Sequence, residues 1–253
     1  MTIPTMEKQR AFLKDELRQQ INFYLTDQNR GVAPPPVQKP PRPEQVLISL
    51  PDPRQDRDFR GTDVLDAMAQ RESRRRYLDQ TLTQAELGLL LWATQGVRRE
   101  LGAGHALRTV PSAGCRHAFE SYALVSDVVG LEQGIYRYLP LQHALVCEHL
   151  DPRLAERLTP AVLNQVFVAS APLTLVWTGI PYRMEWRYAQ AAHRVMAMDV
   201  GHVCQNLYLA CEAIHAGTCA VAAYDQQRMD ALLGVDGQDE FTLYLAPVGK
   251  VIR

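Results

Sequence analysis

Apolar residues recur along this chain in two rhythms, one helical and one strand-like. Leu87, Leu90 and Leu91 recur at helical spacing directly after Thr83-Gln84-Ala85-Glu86, which has the form of a capping box. Gly96 then ends that helix. Further helices are expected over about 63–71, 151–163 and 226–233. A longer helical region is expected over about 187–216, where Met196, Val200, Val203, Leu207, Ala210 and Ile214 recur at steps of four and three. A second row, Val195, Met198, His202, Leu209 and Ala213, lies beside the first. A helix apolar over more than one stripe belongs at the centre of the fold or against another subunit.

Strand composition marks 121–128. Segments 134–138 and 143–149 read as a hairpin around 139–142. The run at 172–177 (PLTLVW) is almost continuously apolar, as expected of a strand covered on both faces. A strand or extended turn is expected over 219–223 and a final strand over 241–248. Strands and helices do not alternate regularly, so the fold class is α+β, a mostly antiparallel or mixed sheet flanked by helices.

The first sixty residues follow other rules. Phe12-Leu13, Leu17, Ile21 and Tyr24-Leu25 fit one amphipathic helix over about 6–26, to be laid on the main domain or on a partner. Nine of the sixteen prolines fall before residue 54, and Pro34 to Pro43 reads as an extended connector. The chain therefore divides into an arm, 1–60, and a main domain, 61–253. Deleting the arm is expected to leave the main domain folded.

Charge narrows the function classes. Lys+Arg is 27 against Asp+Glu 28, a net charge of -1 in 253 residues, which argues against a nucleic-acid-binding surface over the whole molecule. No stretch is apolar for long enough to span a bilayer, and the first ten residues lack the apolar core of a secretion signal, so a cytoplasmic protein is expected. The five cysteines form no CxxC pair; Cys115 and Cys147, each two residues before a histidine, read as scattered thiols, with no metal.

Three segments carry candidate chemistry. Arg71-Glu72-Ser73-Arg74-Arg75-Arg76-Tyr77 places four arginines within six positions of a neutral chain. Either it is a solvated basic turn, or it binds an anion, for which guanidinium forks and the Ser73 hydroxyl suit phosphate. Pro111-Ser112-Ala113-Gly114 is a run of small residues whose backbone can approach a ligand closely, or else a plain loop. Ala220 to Ala223 have no polar side chains, so this run offers backbone N–H groups or is simply core.

Taken together, the motifs resemble those of the nitroreductase-like flavoproteins. Arg71, Ser73, Arg75 and Tyr77 match the N-terminal flavin-phosphate motif. Leu90–Gly96, Pro111–Gly114, Gly134–Tyr138, Asp199–Ala210 and Pro247–Lys250 are similar to the SagB-type thiazole/oxazole dehydrogenase branch. The resemblance runs from about Ala67 to the C-terminus. It implies FMN bound at the interface of an intertwined homodimer whose core is the long helix. Arg71, Ser73 and Arg75 would grip the phosphate and ribityl chain, with Lys250 and Arg253 completing that site. Pro111, Ser112, Ala113 and Gly114 would reach the flavin from the partner subunit. Ala222 and Ala223 would offer backbone N–H groups to flavin N5. The implied activity is an FMN-dependent oxidoreductase with ping-pong hydride transfer, NAD(P)H as a candidate donor, and a small-molecule or peptide substrate. Arg187-Tyr188 stands where azoline-oxidising members carry a Lys-Tyr pair, which marks both as the catalytic candidates but makes Arg187 a poor base. The alternatives are a flavin-binding scaffold without turnover and a non-redox flavin-modifying enzyme.

Overall fold

The computed structural model describes residues 5–56, 59, 62–102 and 104–252, so Arg253 and the 60/61 boundary lie outside the described residues. Its strands are Leu47–Ser49 (β1), Val97–Gly102 (β2), His105–Arg108 (β3), Phe119–Val125 (β4), Gly134–Leu139 (β5), Ala144–Leu150 (β6), Leu173–Gly179 (β7), Ala216–Thr218 (β8) and Phe241–Lys250 (β9). The helices are Met6–Leu13 (α1), Val64–Gln70 (α2), Gln84–Gln95 (α3), Leu154–Ala161 (α4), Val166–Ala169 (α5), Tyr182–Tyr188 (α6), Ala192–Ala213 (α7) and Gln226–Leu233 (α8).

The apolar run at 172–177 lies at the heart of a seven-stranded sheet of order β1-β6-β5-β4-β7-β9-β8. Every neighbouring pair is antiparallel. Along β7 the side chains alternate between two cores, as the period of two requires. Leu173, Leu175 and Trp177 join Leu87, Leu90 and Leu91 of α3 and Met196, Val203 and Leu207 of α7. Val176 faces the other way, with Leu154 and Leu158 of α4 and Met229, Leu232 and Leu233 of α8. The sheet is thus sandwiched between helices, the α+β arrangement expected. The capping box of α3 forms as read: Glu86 N donates to Thr83 Oγ1 at 3.2 Å and Thr83 N donates to Glu86 Oε2 at 2.9 Å.

Four elements differ from the sequence expectation. The helix expected over 6–26 is α1 followed by two 3₁₀ turns, Glu16–Gln20 and Phe23–Leu25. Short polar side chains compete with the helical ladder there. Asn22 Oδ1 accepts from Tyr24 N at 3.2 Å, and Thr26 Oγ1 donates to Phe23 O at 2.8 Å. The region 187–216 is also broken: α6 ends at Tyr188, Ala189 takes a left-handed φ of 46°, and α7 starts at Ala192. Both apolar rows begin at Val195 or later, so neither required residues 187–191 to continue the helix. The strand expected at 219–223 lies instead at 216–218, with Val221 making one isolated bridge to Leu245. Finally, β2 and β3 form a separate antiparallel hairpin that no apolar alternation announced.

The arm is woven into the main sheet. β1 pairs with β6 and supplies one sheet edge. Its proline segment runs past a set of buried arginines that donate to its carbonyls. Arg108 Nη2 donates to Val37 O at 2.5 Å, Arg116 Nη2 to Pro35 O at 3.4 Å, and Arg137 to Lys39 O at 2.7 Å and Pro40 O at 3.2 Å. Lys39 in turn donates from its N–H to Glu120 at 2.7 Å and from its ammonium to Glu240 at 2.5 Å. Proline lacks an N–H but keeps its carbonyl, so a proline-rich strand is an acceptor-rich partner for guanidinium forks.

Candidate functional site

Residues 71–77 leave the end of α2 and run beside β8. Ser73 pairs with Thr218 as an isolated parallel bridge, and Arg74 N donates to Thr218 O at 2.9 Å. This approach needs glycine at 217, where a Cβ would fall 2.5 Å from Arg74 Cγ. The four arginines then part company. Arg74 pairs with Glu72 at 2.7 Å. Arg71 lies over the Tyr208 ring, 5.5 Å from its centroid, and Arg75 over Phe167 at 5.8 Å. Ser73 Oγ is 3.0 Å from the Tyr208 hydroxyl, which also accepts from Ala220 N at 2.9 Å. Tyr208 therefore ties the arginine segment to the backbone leading into Ala222 and Ala223. A cleft of about 440 Å³ is lined by residues 73–78 with Val251 and Ile252. Ala222 and Ala223 are exposed, and among the described residues their N–H groups meet no acceptor.

Lys250 is placed otherwise than expected. Its ammonium is bonded to Glu86 and to Ile214 O, the latter at 2.6 Å. Its side chain thus spans the start of α3 and the end of α7, while its backbone carbonyl accepts from the N–H of Leu78, the residue after the arginine segment, at 2.8 Å. Arg253 lies outside the described residues.

The second cluster forms around Pro111–Gly114. Ala113 N donates to Asp199 Oδ2 at 3.1 Å, and Ser112 Oγ accepts from His117 N at 3.0 Å. Gly114 has a φ of +59°, and a Cβ there would lie 2.7 Å from the Tyr188 hydroxyl and 2.8 Å from Arg187 Nε. The loop and the Arg187-Tyr188 pair, 73 positions apart in sequence, are therefore in contact. Gly114→Ala is expected to lower the unfolding free energy by about 1–3 kcal/mol, since it meets both a left-handed φ and a filled space. A thermal melt of the variant checks this; an unchanged midpoint overturns it.

Asp199 is buried, and that burial raises its carboxyl above the usual carboxylate value, against the hydrogen bonds from Ser112 and Ala113. An acid with a raised folded value binds its proton more tightly folded than unfolded. Its contribution to stability is therefore present at low pH and falls as pH rises through and above the normal carboxylate range, about pH 4. Asp199→Asn keeps an acceptor for Ala113 N without the charge. Its melting midpoint relative to the unsubstituted protein is expected to rise between about pH 4 and pH 7, and a constant difference across that range refutes the assignment.

Asp199 and Tyr208 both went unnoticed as site residues because they sit inside the apolar rows of α7. The available signal was a carboxylate and a phenol at positions that bury. They lie nine residues apart, about 13 Å along a helix. One chain thus holds two clusters at separated points of α7, the Arg71–Arg75 group near Tyr208 and the Pro111–Gly114/Arg187-Tyr188 group near Asp199.

Comparisons with known proteins fit this arrangement. The family model described as the nitroreductase family matches residues 68–250. A Methanocaldococcus jannaschii protein named as a nitroreductase is 37% identical over 188 residues, covering 74% of this chain and 91% of that one. A solved structure from Desulfovibrio desulfuricans, named as a nitroreductase in complex with FMN, superposes with TM-score 0.54 at 18% identity, over 76% of this chain and 88% of the other. A chain of the Escherichia coli microcin synthetase McbBCD complex, with truncated pro-MccB17 bound, gives TM-score 0.61 at 16% identity over 99% of both chains. The two structures show a shared fold. The match over 68–250 and the 37% identity together place this chain in the nitroreductase family.

Proposed function

We propose that this protein is an FMN-dependent oxidoreductase that works as a homodimer, with NAD(P)H as electron donor and a small-molecule or peptide substrate. The observation that carries the reading is the Tyr208 tie. One phenol orders Arg71 and Ser73 beside a cleft and anchors Ala220, two residues before backbone N–H groups that have no acceptor among the described residues. The donor set fits the cofactor: guanidiniums and a hydroxyl for a phosphate dianion, and free backbone donors for the edge of a flat heterocycle. FMN, when bound, supplies hydride acceptance and release. Arg71, Ser73 and Arg75 hold its phosphate, while Ala222 and Ala223 donate toward the ring. The Tyr188 hydroxyl, held against Gly114, is the group available to hold or pass a proton. Arg187, a fork of donors with no acceptor, binds and orients rather than acting as a base.

A dimer completes the site. The arginine cluster and the Pro111–Gly114 loop lie at separated points of α7, so each site joins one cluster from each chain. The apolar side chains for such an interface are exposed on α2, where Val64, Leu65 and Met68 are 56%, 71% and 54% exposed, and on α7 at Met198. A groove of about 440 Å³ lined by Val64, Leu89, Trp92 and Leu209 lies beside them. Exposed patches of this kind mark interaction surfaces.

Protein purified from FMN-supplemented cells is expected to show flavin absorbance, to release FMN on heating, and to be bleached by NADH or NADPH without oxygen. Colourless protein with no releasable FMN overturns the reading. Yellow protein that neither nucleotide bleaches favours the scaffold alternative or another donor.

A further inference from the structure

The corner around Gly114 carries positive charge that its carboxylates do not neutralise. Arg183 and Arg187 lie one turn apart on α6, a spacing at which like charges repel. Arg116 stacks on Trp186, 4.7 Å from its ring centroid. Arg183 has a counter-charge, Glu120, at 2.5 Å. Arg116 has none within ion-pair distance among the described residues. Its donors go to Arg183 O at 2.8 Å, Gly104 O at 3.2 Å and Pro35 O at 3.4 Å, and it meets His105 Nε2 at 3.2 Å. Burial lowers the Arg116 pKa, and Arg183 and Arg187 lower it further. Nearby His117 is pushed down to about 3, first by burial and then by Arg108, with Arg116 and Arg183 adding to the effect.

Arg187 is the member of this group that reaches the site. It is half-buried, its Nη1 donates to a neutral acceptor, Gln28 Oε1, at 3.1 Å, and its guanidinium lies 5.5 Å from the Tyr188 ring centroid. Among the described residues no carboxylate comes within ion-pair distance of it. Its Nε lies beside Gly114, in the loop assigned above to the flavin. Arg116, by contrast, is fully buried and cannot share a ligand with it.

We propose that Arg187 recognises a carboxylate on the substrate, so that the protein selects a small organic monoanion over its neutral counterpart. One accessible guanidinium, steadied by Gln28, suits a single carboxylate; a dianion would need a second accessible cation at that corner. Arg116, buried and without a counter-charge among the described residues, adds to the attraction, because charge is weakly screened in so poorly solvated a place. This inference rests on the FMN reading of the same site.

The test uses the full-length flavoprotein and two probes of nearly equal shape, 4-nitrobenzoate and 4-nitrobenzamide. Binding is followed by perturbation of the flavin spectrum and, separately, by equilibrium dialysis. The unsubstituted protein is expected to hold the benzoate about 10-fold or more tightly than the amide, the scale of a charge-assisted hydrogen bond. Arg187→Gln, which retains hydrogen-bonding groups beside Gln28, and Arg187→Met, which keeps the apolar stem, are both expected to retain FMN and lose the preference. Equal affinity for the two probes in the unsubstituted protein overturns the proposal, as does a preference surviving in both variants. Loss of FMN from both variants overturns it too, by making Arg187 a cofactor ligand. If the unsubstituted protein takes up no FMN at all, the functional reading fails and this inference fails with it; FMN retained without carboxylate preference defeats this inference alone.

Discussion

A chain shortened by its first sixty residues is expected to come out insoluble or without a cooperative melt. The sequence points the other way, since a proline-rich connector reads as a dispensable tether. The contacts of that connector reverse the expectation. Its removal takes the carbonyl acceptors from Arg108, Arg116 and Arg137, all fully or almost fully buried. Four hydrogen bonds from charged donors are lost, each worth about 1.5–3 kcal/mol, so about 6–12 kcal/mol in all if they act independently. That is comparable to the whole stability of an ordinary domain, about 5–15 kcal/mol. The deletion also strips β1 from the sheet edge and removes the buried Val37 and Leu50. Removing only residues 1–25 should be mild by comparison, because α1 and both 3₁₀ turns bury no residue. Thermal melts of the two truncations separate the cases. A soluble 61–253 fragment melting within a few degrees of the full chain would refute the argument.

The arm shows where sequence reading stops. Local signals were legible: the α3 capping box, the β5–β6 hairpin and α8 each rest on residues within one or two turns of each other, and the structure has them. The unbroken apolar run at 172–177 was legible because its pattern reports the environment directly, a strand covered on both faces. The arginine cradle was not, because Arg108, Arg116 and Arg137 come from separate elements and each alone looks like a surface residue. The β2–β3 hairpin escaped for the opposite reason. Residues 98–102 are exposed and give no apolar alternation to detect. In the site, the arginine segment and the Pro111–Gly114 loop stood out by composition. Their anchors, Tyr208 and Asp199, did not, since a periodicity count treats a polar residue on a buried helix face as an interruption rather than as a hydrogen-bonding group that must find a partner. Lys250 stood close in the sequence pattern to where a phosphate ligand was expected, but the choice between that role and the Glu86 pair depends on the direction of its side chain.

Substituting Arg71 and Arg75 together by alanine should weaken FMN binding by about 3–6 kcal/mol, roughly 10²- to 10⁴-fold in Kd, taking about 1.5–3 kcal/mol for each hydrogen-bonded charge. The two are singled out from the four by their partners. Arg74 is already paired with Glu72 at 2.7 Å, whereas Arg71 and Arg75 are matched with aromatic rings, which position a guanidinium without neutralising it. Arg74→Ala is therefore expected to cost the flavin site less. The loss should also be specific to phosphate. Riboflavin, which has the same ring and ribityl chain without the phosphate, should bind the double variant about as well as it binds the unsubstituted protein. Titrations of both flavins by fluorescence quenching give the four constants needed, and the ratio between them is free of any general damage to the fold. FMN bound as tightly by the double variant as by the unsubstituted protein would remove the phosphate assignment. Equal losses for FMN and riboflavin, with a lowered melting midpoint, would assign the two arginines to holding residues 71–77 in place against Tyr208 and Phe167 instead.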